Sequence, residues 1–91
     1  MKFIISGKVY DTEKSTLICT FTEKGESPWE IGHRNEIYVT AKKHLFLVKY
    51  NQTGISYVKK LDTKESGTLL DCHAADINIE AYTSIFETEE A

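Results

Sequence analysis

From Lys64 to the end the chain contains no further lysine or arginine, and across its 91 residues it has one proline, one tryptophan, one methionine and two cysteines. Each scarcity excludes something. No apolar run approaches the roughly 18 residues a membrane helix needs. The opening run Phe3-Ile4-Ile5 is too short for a signal peptide and breaks at Ser6-Gly7, so a cytoplasmic protein is expected and the glycosylation sequon Asn51-Gln52-Thr53 carries no meaning. Cys19 and Cys72 suit that compartment as reduced thiols, although two cysteines also suffice for one disulfide. No pair drawn from Cys19, His33, His44, Cys72 and His73 has the C-x-x-C or H-x-x-x-H spacing of a zinc site, and no metal or cofactor is expected. Gly25 and Gly32 stand seven apart with bulky residues between them and no Gly-Lys-Ser/Thr following, so a phosphate-cradling loop is absent too.

What the chain does have is an ordinary globular composition, 41% hydrophobic and 27% charged, enough for one small domain with a single core and too little for a multi-domain enzyme. The net charge of −3 argues against direct nucleic-acid binding, which needs a clustered basic excess. That total conceals a polarity. Residues 1–64 hold all eleven basic residues against seven acidic ones, a surplus of +4, whereas residues 65–91 carry seven carboxylates and no cation. Either this end is a solvated tail that aids solubility, or it is an acidic face for a basic partner.

Apolar periodicity places strands in the first two thirds. Residues 2–10 read as a strand bent at Gly7. Residues 16–22 alternate, with Leu17, Cys19 and Phe21 on one face and threonines on the other. Asp11-Thr12-Glu13-Lys14-Ser15 between them has the chemistry of a tight turn or a single helical turn. The polar connection 23–35 holds the only proline and the only tryptophan. Residues 36–42 alternate again, residues 45–50 are almost continuously apolar, and residues 55–61 form a fifth strand, with Lys42-Lys43-His44 and Asn51-Gln52-Thr53-Gly54 as connections. Asp62 to Gly67 echoes the first turn. Ile79, Tyr82, Ile85 and Phe86 then make a helical stripe with Asn78 as cap and Glu80, Thr83, Ser84 and Glu87 outside. The expectation is a single α+β domain over residues 1–91: an antiparallel sheet of four to five strands, one C-terminal helix packed on a face, and an acidic helix and tail from about residue 78.

Catalysis finds little support. Cys72 and His73 are neighbours that a strand would point to opposite faces, Cys19 lies on an apolar face, and the carboxylates sit in loops or on the acidic end. No enzyme is expected. Binding is. Trp29, flanked by Glu30 and followed by Arg34, is either a rigid interface anchor or a ring tucked against the core. Lys42, Lys43, Lys49, Lys59 and Lys60 read as solvated protection of sheet edges.

Gly7-Lys8-Val9-Tyr10-Asp11-Thr12-Glu13-Lys14-Ser15 leading into Leu17-Ile18-Cys19-Thr20-Phe21, with Glu36-Ile37-Tyr38-Val39-Thr40-Ala41-Lys42-Lys43-His44-Leu45-Phe46-Leu47 further on, resembles a group of small proteins from phages and mobile elements of Gram-positive bacteria. Its pattern is G-K-x-Y-D-T-E-K-A before a strand and E-x-L-Y-x-T-K-K-G-x-Y-F-L after a variable loop. His44 replaces the glycine after the lysine pair, and beyond Gly67 only the plan of a strand leading to an acidic helix is shared. The resemblance implies inhibition of host defence, as by anti-CRISPR proteins, through binding and not catalysis. The expected site then joins Asp71, Asp76, Glu80 and Glu87, imitating the spaced charge of a nucleic-acid backbone, to Trp29, Glu30 and Arg34, with a bacterial nuclease complex such as a CRISPR effector as partner. The competing expectation is an interaction module of a mobile element that pairs with itself, as a homodimer, or with another small protein through a strand edge.

Overall fold

The computed structural model of the chain describes residues 1–23, 32–51 and 54–86. It is an α+β fold in three layers: a two-stranded hairpin, a four-stranded antiparallel sheet and a pair of C-terminal helices. The hairpin comprises β1 (Lys2–Ile5) and β2 (Lys8–Asp11). The sheet runs β3 (Thr16–Glu23), β4 (His33–Val39), β5 (Leu45–Asn51) and β6 (Gly54–Leu61), each beside its sequence neighbour. Helices α1 (Thr63–Cys72) and α2 (Ile79–Ile85) follow.

Gly7 does not bend one strand; it ends one. Ser6 and Gly7 have φ of 51° and 76°, the positive values a two-residue hairpin turn needs at both central positions to match the twist of its strands. Phe3 then faces Tyr10 and Ile4 faces Val9 across the hairpin. After Asp11 the chain makes one 3-10 turn, Thr12–Lys14, as the turn chemistry suggested. The Asp11 side chain accepts from the Glu13 N–H at 3.0 Å, and the Ser15 hydroxyl donates to the Asp11 carbonyl at 2.6 Å.

The near-continuous apolar run of β5 has a structural reason: this strand is covered on both faces. Phe46 and Val48 join Tyr10 in a buried cluster beneath the hairpin, bordered by Phe3, Ile5, Tyr38, Tyr50 and Val58. Leu47 on the opposite face joins Ile18, Cys19, Phe21, Ile37, Val39, Leu61 and Leu70 under the helices. A central strand buried on both sides has no solvent face to alternate toward.

The clean alternation expected of residues 16–22 fails at one place. The register skips from Leu17↔Tyr38 to Cys19↔Ile37, leaving Ile18 as the extra residue of a β-bulge. A bulge brings two successive side chains toward one face, so Ile18 and Cys19 are both buried while Leu17 is exposed. The bulge also meets a covering segment. Ile77 forms an antiparallel bridge with Cys19, and the Asn78 N–H donates to the Ile18 carbonyl at 2.7 Å.

Residues 63–72 depart furthest from expectation. The segment read as a turn followed by a strand is a ten-residue helix whose N-cap Asp62 accepts from the Glu65 N–H at 2.7 Å. Two helices therefore cover the sheet where one was expected. The second begins as expected at Asn78, whose side chain accepts from the Ala81 N–H at 3.2 Å. Its packed stripe is shifted: Ala81, Tyr82, Ile85 and Phe86 lie against the core, whereas Ile79 is 69% exposed.

Candidate functional site

The acidic segment is built by α1, a short connection and α2. Asp71 lies in the last turn of α1, Asp76 ends a 3-10 turn, Ala74–Asp76, and Glu80 opens α2, all three exposed. Leu69 and Leu70 hold α1 on the core, Ile77 bridges to β3, and Tyr82 and Ile85 hold α2. The carboxylates thus stand on a framework anchored at three points. Asp76 lies 3.6 Å from His73 Nδ1, and the His73 ring stacks on Phe21 with centroids 3.7 Å apart. Asp71 carries no ion pair or hydrogen bond of its side chain among the described residues.

The members of the expected site that fall among the described residues do not share one surface. Trp29, Glu30 and Glu87 lie outside the described residues. Arg34 is directed to the opposite side of the sheet from the helices, because Asn35, Ile37 and Val39 take the inward positions of β4 and leave the even-numbered residues to the other face. Its guanidinium sits 4.5 Å from the centre of the Tyr50 ring. There it joins Glu36, which accepts from the Tyr38 hydroxyl at 3.1 Å. Burial first, and then the Glu36 carboxylate, push the Tyr38 phenol up to about 12, and the same causes raise that of Tyr50. Arg34 is therefore part of a sheet-face polar cluster and is separated from Asp71, Asp76 and Glu80 by the sheet itself.

That cluster makes stability sensitive to alkali. Because the folded state holds the Tyr38 proton more tightly than the unfolded chain, its contribution is complete below pH 10 and is lost as the pH rises toward 12. Urea unfolding across that window is expected to show a steeper fall for the native sequence than for Tyr38→Phe, with equal slopes contradicting the assignment.

The two cysteines are not bonded to each other. Cys19 is buried and Cys72 exposed, both as free thiols. Burial, with the nearby charge of Asp76, raises the Cys19 thiol above its ordinary range, which opposes formation of the nucleophilic thiolate. Cys72 and His73 do not lie on a strand: Cys72 closes α1 and His73 is its C-cap. Among the described residues no group of histidine, cysteine, aspartate and glutamate is placed to hold a metal ion. Among the described residues no helix is long and apolar enough to cross a membrane.

Concavities also lie among the described residues. One of about 550 Å³ lies between α1, α2 and the β4–β5 turn, floored by Leu45, Leu61, Leu70 and Tyr82 with Lys43 and Lys60 on its rim. Another of about 520 Å³ flanks α1 over Phe21, Leu47 and Leu69, where Lys59 pairs with Glu65. The third, about 400 Å³, is formed where the start of β2 meets the β4–β5 turn. Lys42 and Lys43, expected as edge protection, sit in that turn, and Lys49 lies on the central strand β5, paired with Glu23 at 2.9 Å. Only Lys59 and Lys60 belong to an edge strand, β6.

No family model, curated protein or solved structure matches the chain.

Proposed function

We propose that the chain is a non-enzymatic binding protein whose acidic helical edge docks on a basic surface, acting as a cytoplasmic inhibitor of a bacterial nuclease complex in the manner of an anti-CRISPR protein. The observation that supports the reading best is Asp71. It stands exposed in the last turn of α1, where no basic residue accompanies it. The carbonyl end of a helix carries partial negative charge, so a carboxylate there lowers stability by about 0.3–1 kcal/mol at an exposed site. Asp71 contributes nothing to the core in return, and Asp76 and Glu80 extend the same sign along the following segment. Carboxylates spaced along such an edge offer a basic groove a substitute for phosphates, and attraction between opposite charges speeds encounter.

The reading predicts that stability and binding part company. Asp71→Asn is expected to raise the unfolding midpoint slightly while weakening binding. Asp71→Lys combined with Glu80→Lys is expected to weaken capture of the nuclease complex by about tenfold or more, measured by competition with its nucleic-acid substrate at two salt concentrations. Unchanged inhibition by the double variant would sink the acidic-edge reading.

A second reading, a module that pairs through a strand edge as a homodimer or with another small protein, is favoured by β6. Among the described residues this eight-residue strand has no paired strand on its outer side, and Ile55 and Tyr57 are exposed along it. Main-chain pairing is nearly insensitive to salt, whereas docking by charge weakens as salt screens it. A salt titration of binding separates the two.

A further inference from the structure

Ile4 and Val9 stand directly opposite each other in the hairpin and are 79% and 63% exposed. Phe3, Ile5 and Tyr10 take the hairpin face that packs on the sheet, against Phe46 and Val48. Ile4 and Val9 therefore project from the other face, the outside of an outer layer of the fold. A single exposed apolar residue is ordinary, but apolar side chains placed together and rimmed by charge mark an interaction surface.

The rim of this pair is basic. Lys2 lies at the open end of the hairpin and Lys8 beside its turn. Lys8 and Val9 also border the β4–β5 turn, where Ala41 and Lys42 are exposed. Among the described residues none of these three lysines takes part in an ion pair. The acidic groups nearest in sequence, Asp11 and Glu13, stand by the Met1 amino group at 3.9 and 4.0 Å. Asp71, Asp76 and Glu80 belong to the helical layer, across the sheet from the hairpin. Charge is thus sorted by layer, cationic outside the hairpin and anionic along the helices.

We propose that the outer face of the hairpin docks on the surface of an anionic lipid bilayer. Ile4 and Val9 enter the boundary between headgroups and acyl chains, while Lys2, Lys8 and Lys42 stay among the lipid phosphates. Charge selects this occupant. The cationic rim pairs with anionic headgroups, and the same orientation turns the helical carboxylates away from the membrane. Shape agrees with it, because the pair projects from a two-stranded ribbon and a fluid bilayer needs no matching pocket, whereas a protein partner has to supply one. Docking of this kind is weak and reversible, each lysine near the surface contributing about fivefold in affinity. The face is formed by other elements than the acidic edge, and either can exist without the other.

The test is co-sedimentation of the whole chain with vesicles of phosphatidylcholine alone and of phosphatidylcholine mixed with an equal part of phosphatidylglycerol, at low and moderate salt. Binding is expected to the mixed vesicles only, and to weaken as salt screens the lysines. Ile4→Thr combined with Val9→Thr keeps the branched shape that suits a strand and is expected to weaken binding about tenfold or more. Lys8→Gln combined with Lys42→Gln is expected to weaken it by about twentyfold. Ile79→Thr changes a side chain that is 69% exposed in the helical layer, and native binding is expected to persist. Absence of binding to the mixed vesicles, equal binding to both compositions, or native affinity in folded Ile4→Thr, Val9→Thr would each overturn the proposal. So would weaker capture of the nuclease complex by that variant with no vesicle binding, which would assign the face to a protein partner instead.

Discussion

Phe46→Ala is expected to remove about 3–5 kcal/mol of stability, a large part of the roughly 5–15 kcal/mol available to a small domain. The residue is fully buried on the central strand, edge-on to Tyr10 at 5.3 Å and stacked with Tyr38 at 5.4 Å. These two rings come from different layers, so the truncated side chain would leave a void exactly where hairpin and sheet meet. A two-stranded hairpin is marginal by itself, and β1 and β2 depend on this contact. Urea unfolding should show a lower midpoint, with early loss of amide protection in residues 2–11. A destabilisation below about 1 kcal/mol would mean that the hairpin settles into the void and that the two layers are not locked by Phe46.

Leu70→Ala is expected to cost about 2–3 kcal/mol, toward the lower end of the range for a buried leucine because the side chain retains 9% exposure. Its effect should be more local. Helix α1 has ten residues and contains Gly67 in its interior, too short and too weak in propensity to persist undocked. Leu70 and Ser66 are its buried residues, and Leu70 is the one that reaches the helix-side cluster as a full apolar side chain. Amide exchange should accelerate across residues 63–72 before the sheet opens. Because Asp71 follows directly in sequence, the same variant should weaken partner binding in the acidic-edge assay. Unchanged protection of α1 would show that Leu69 alone suffices to hold it.

How far the sequence discloses this structure differs between elements for physical reasons. The β5 and β6 runs are legible because apolar periodicity and turn residues agree on their limits, whereas β4, His33–Val39, starts and ends three residues before the alternation read over residues 36–42 and takes in the end of the expected connection. The α1 helix is hidden behind a similarity. Asp11-Thr12-Glu13-Lys14 and Asp62-Thr63-Lys64-Glu65 look alike, but only the second has a glutamate three residues after its aspartate, the pattern that marks a helix start. There the Asp62 side chain reaches the Glu65 N–H, whereas Asp11 reaches back only to Glu13. Gly67 and Thr68, weak helix formers ahead of Leu69-Leu70, give the segment the look of a turn and a strand. The bulge at Ile18 is less legible still, since its covering partner, Asn78, lies sixty residues along the chain.

The candidate site divides in the same way. Asp71, Asp76 and Glu80 are visible as a run of one sign, and the two helices place them on one segment. Arg34 could not be assigned to a side from its neighbours alone, because strand parity and not proximity in sequence decides which face it takes. Ile4, Lys8, Val9 and Lys42 gave a signal only as strand, turn and hairpin chemistry. Their place on one outer layer depends on the hairpin folding back over the sheet, a contact between layers that no local pattern records.

The bridge from residues 77–78 to β3 has one further consequence. It occupies part of one margin of the four-stranded sheet, while among the described residues no strand pairs with the outer side of β6. Fibre growth by stacking sheets edge to edge requires two available margins on every subunit, so that each addition leaves a place for the next. Two copies joined β6 to β6 about a twofold axis would use that side of both and leave only the partly covered β3 margins for further growth. The bridge on β3 thus bears against extension beyond such a pair, because it removes part of the margin that a third copy would need.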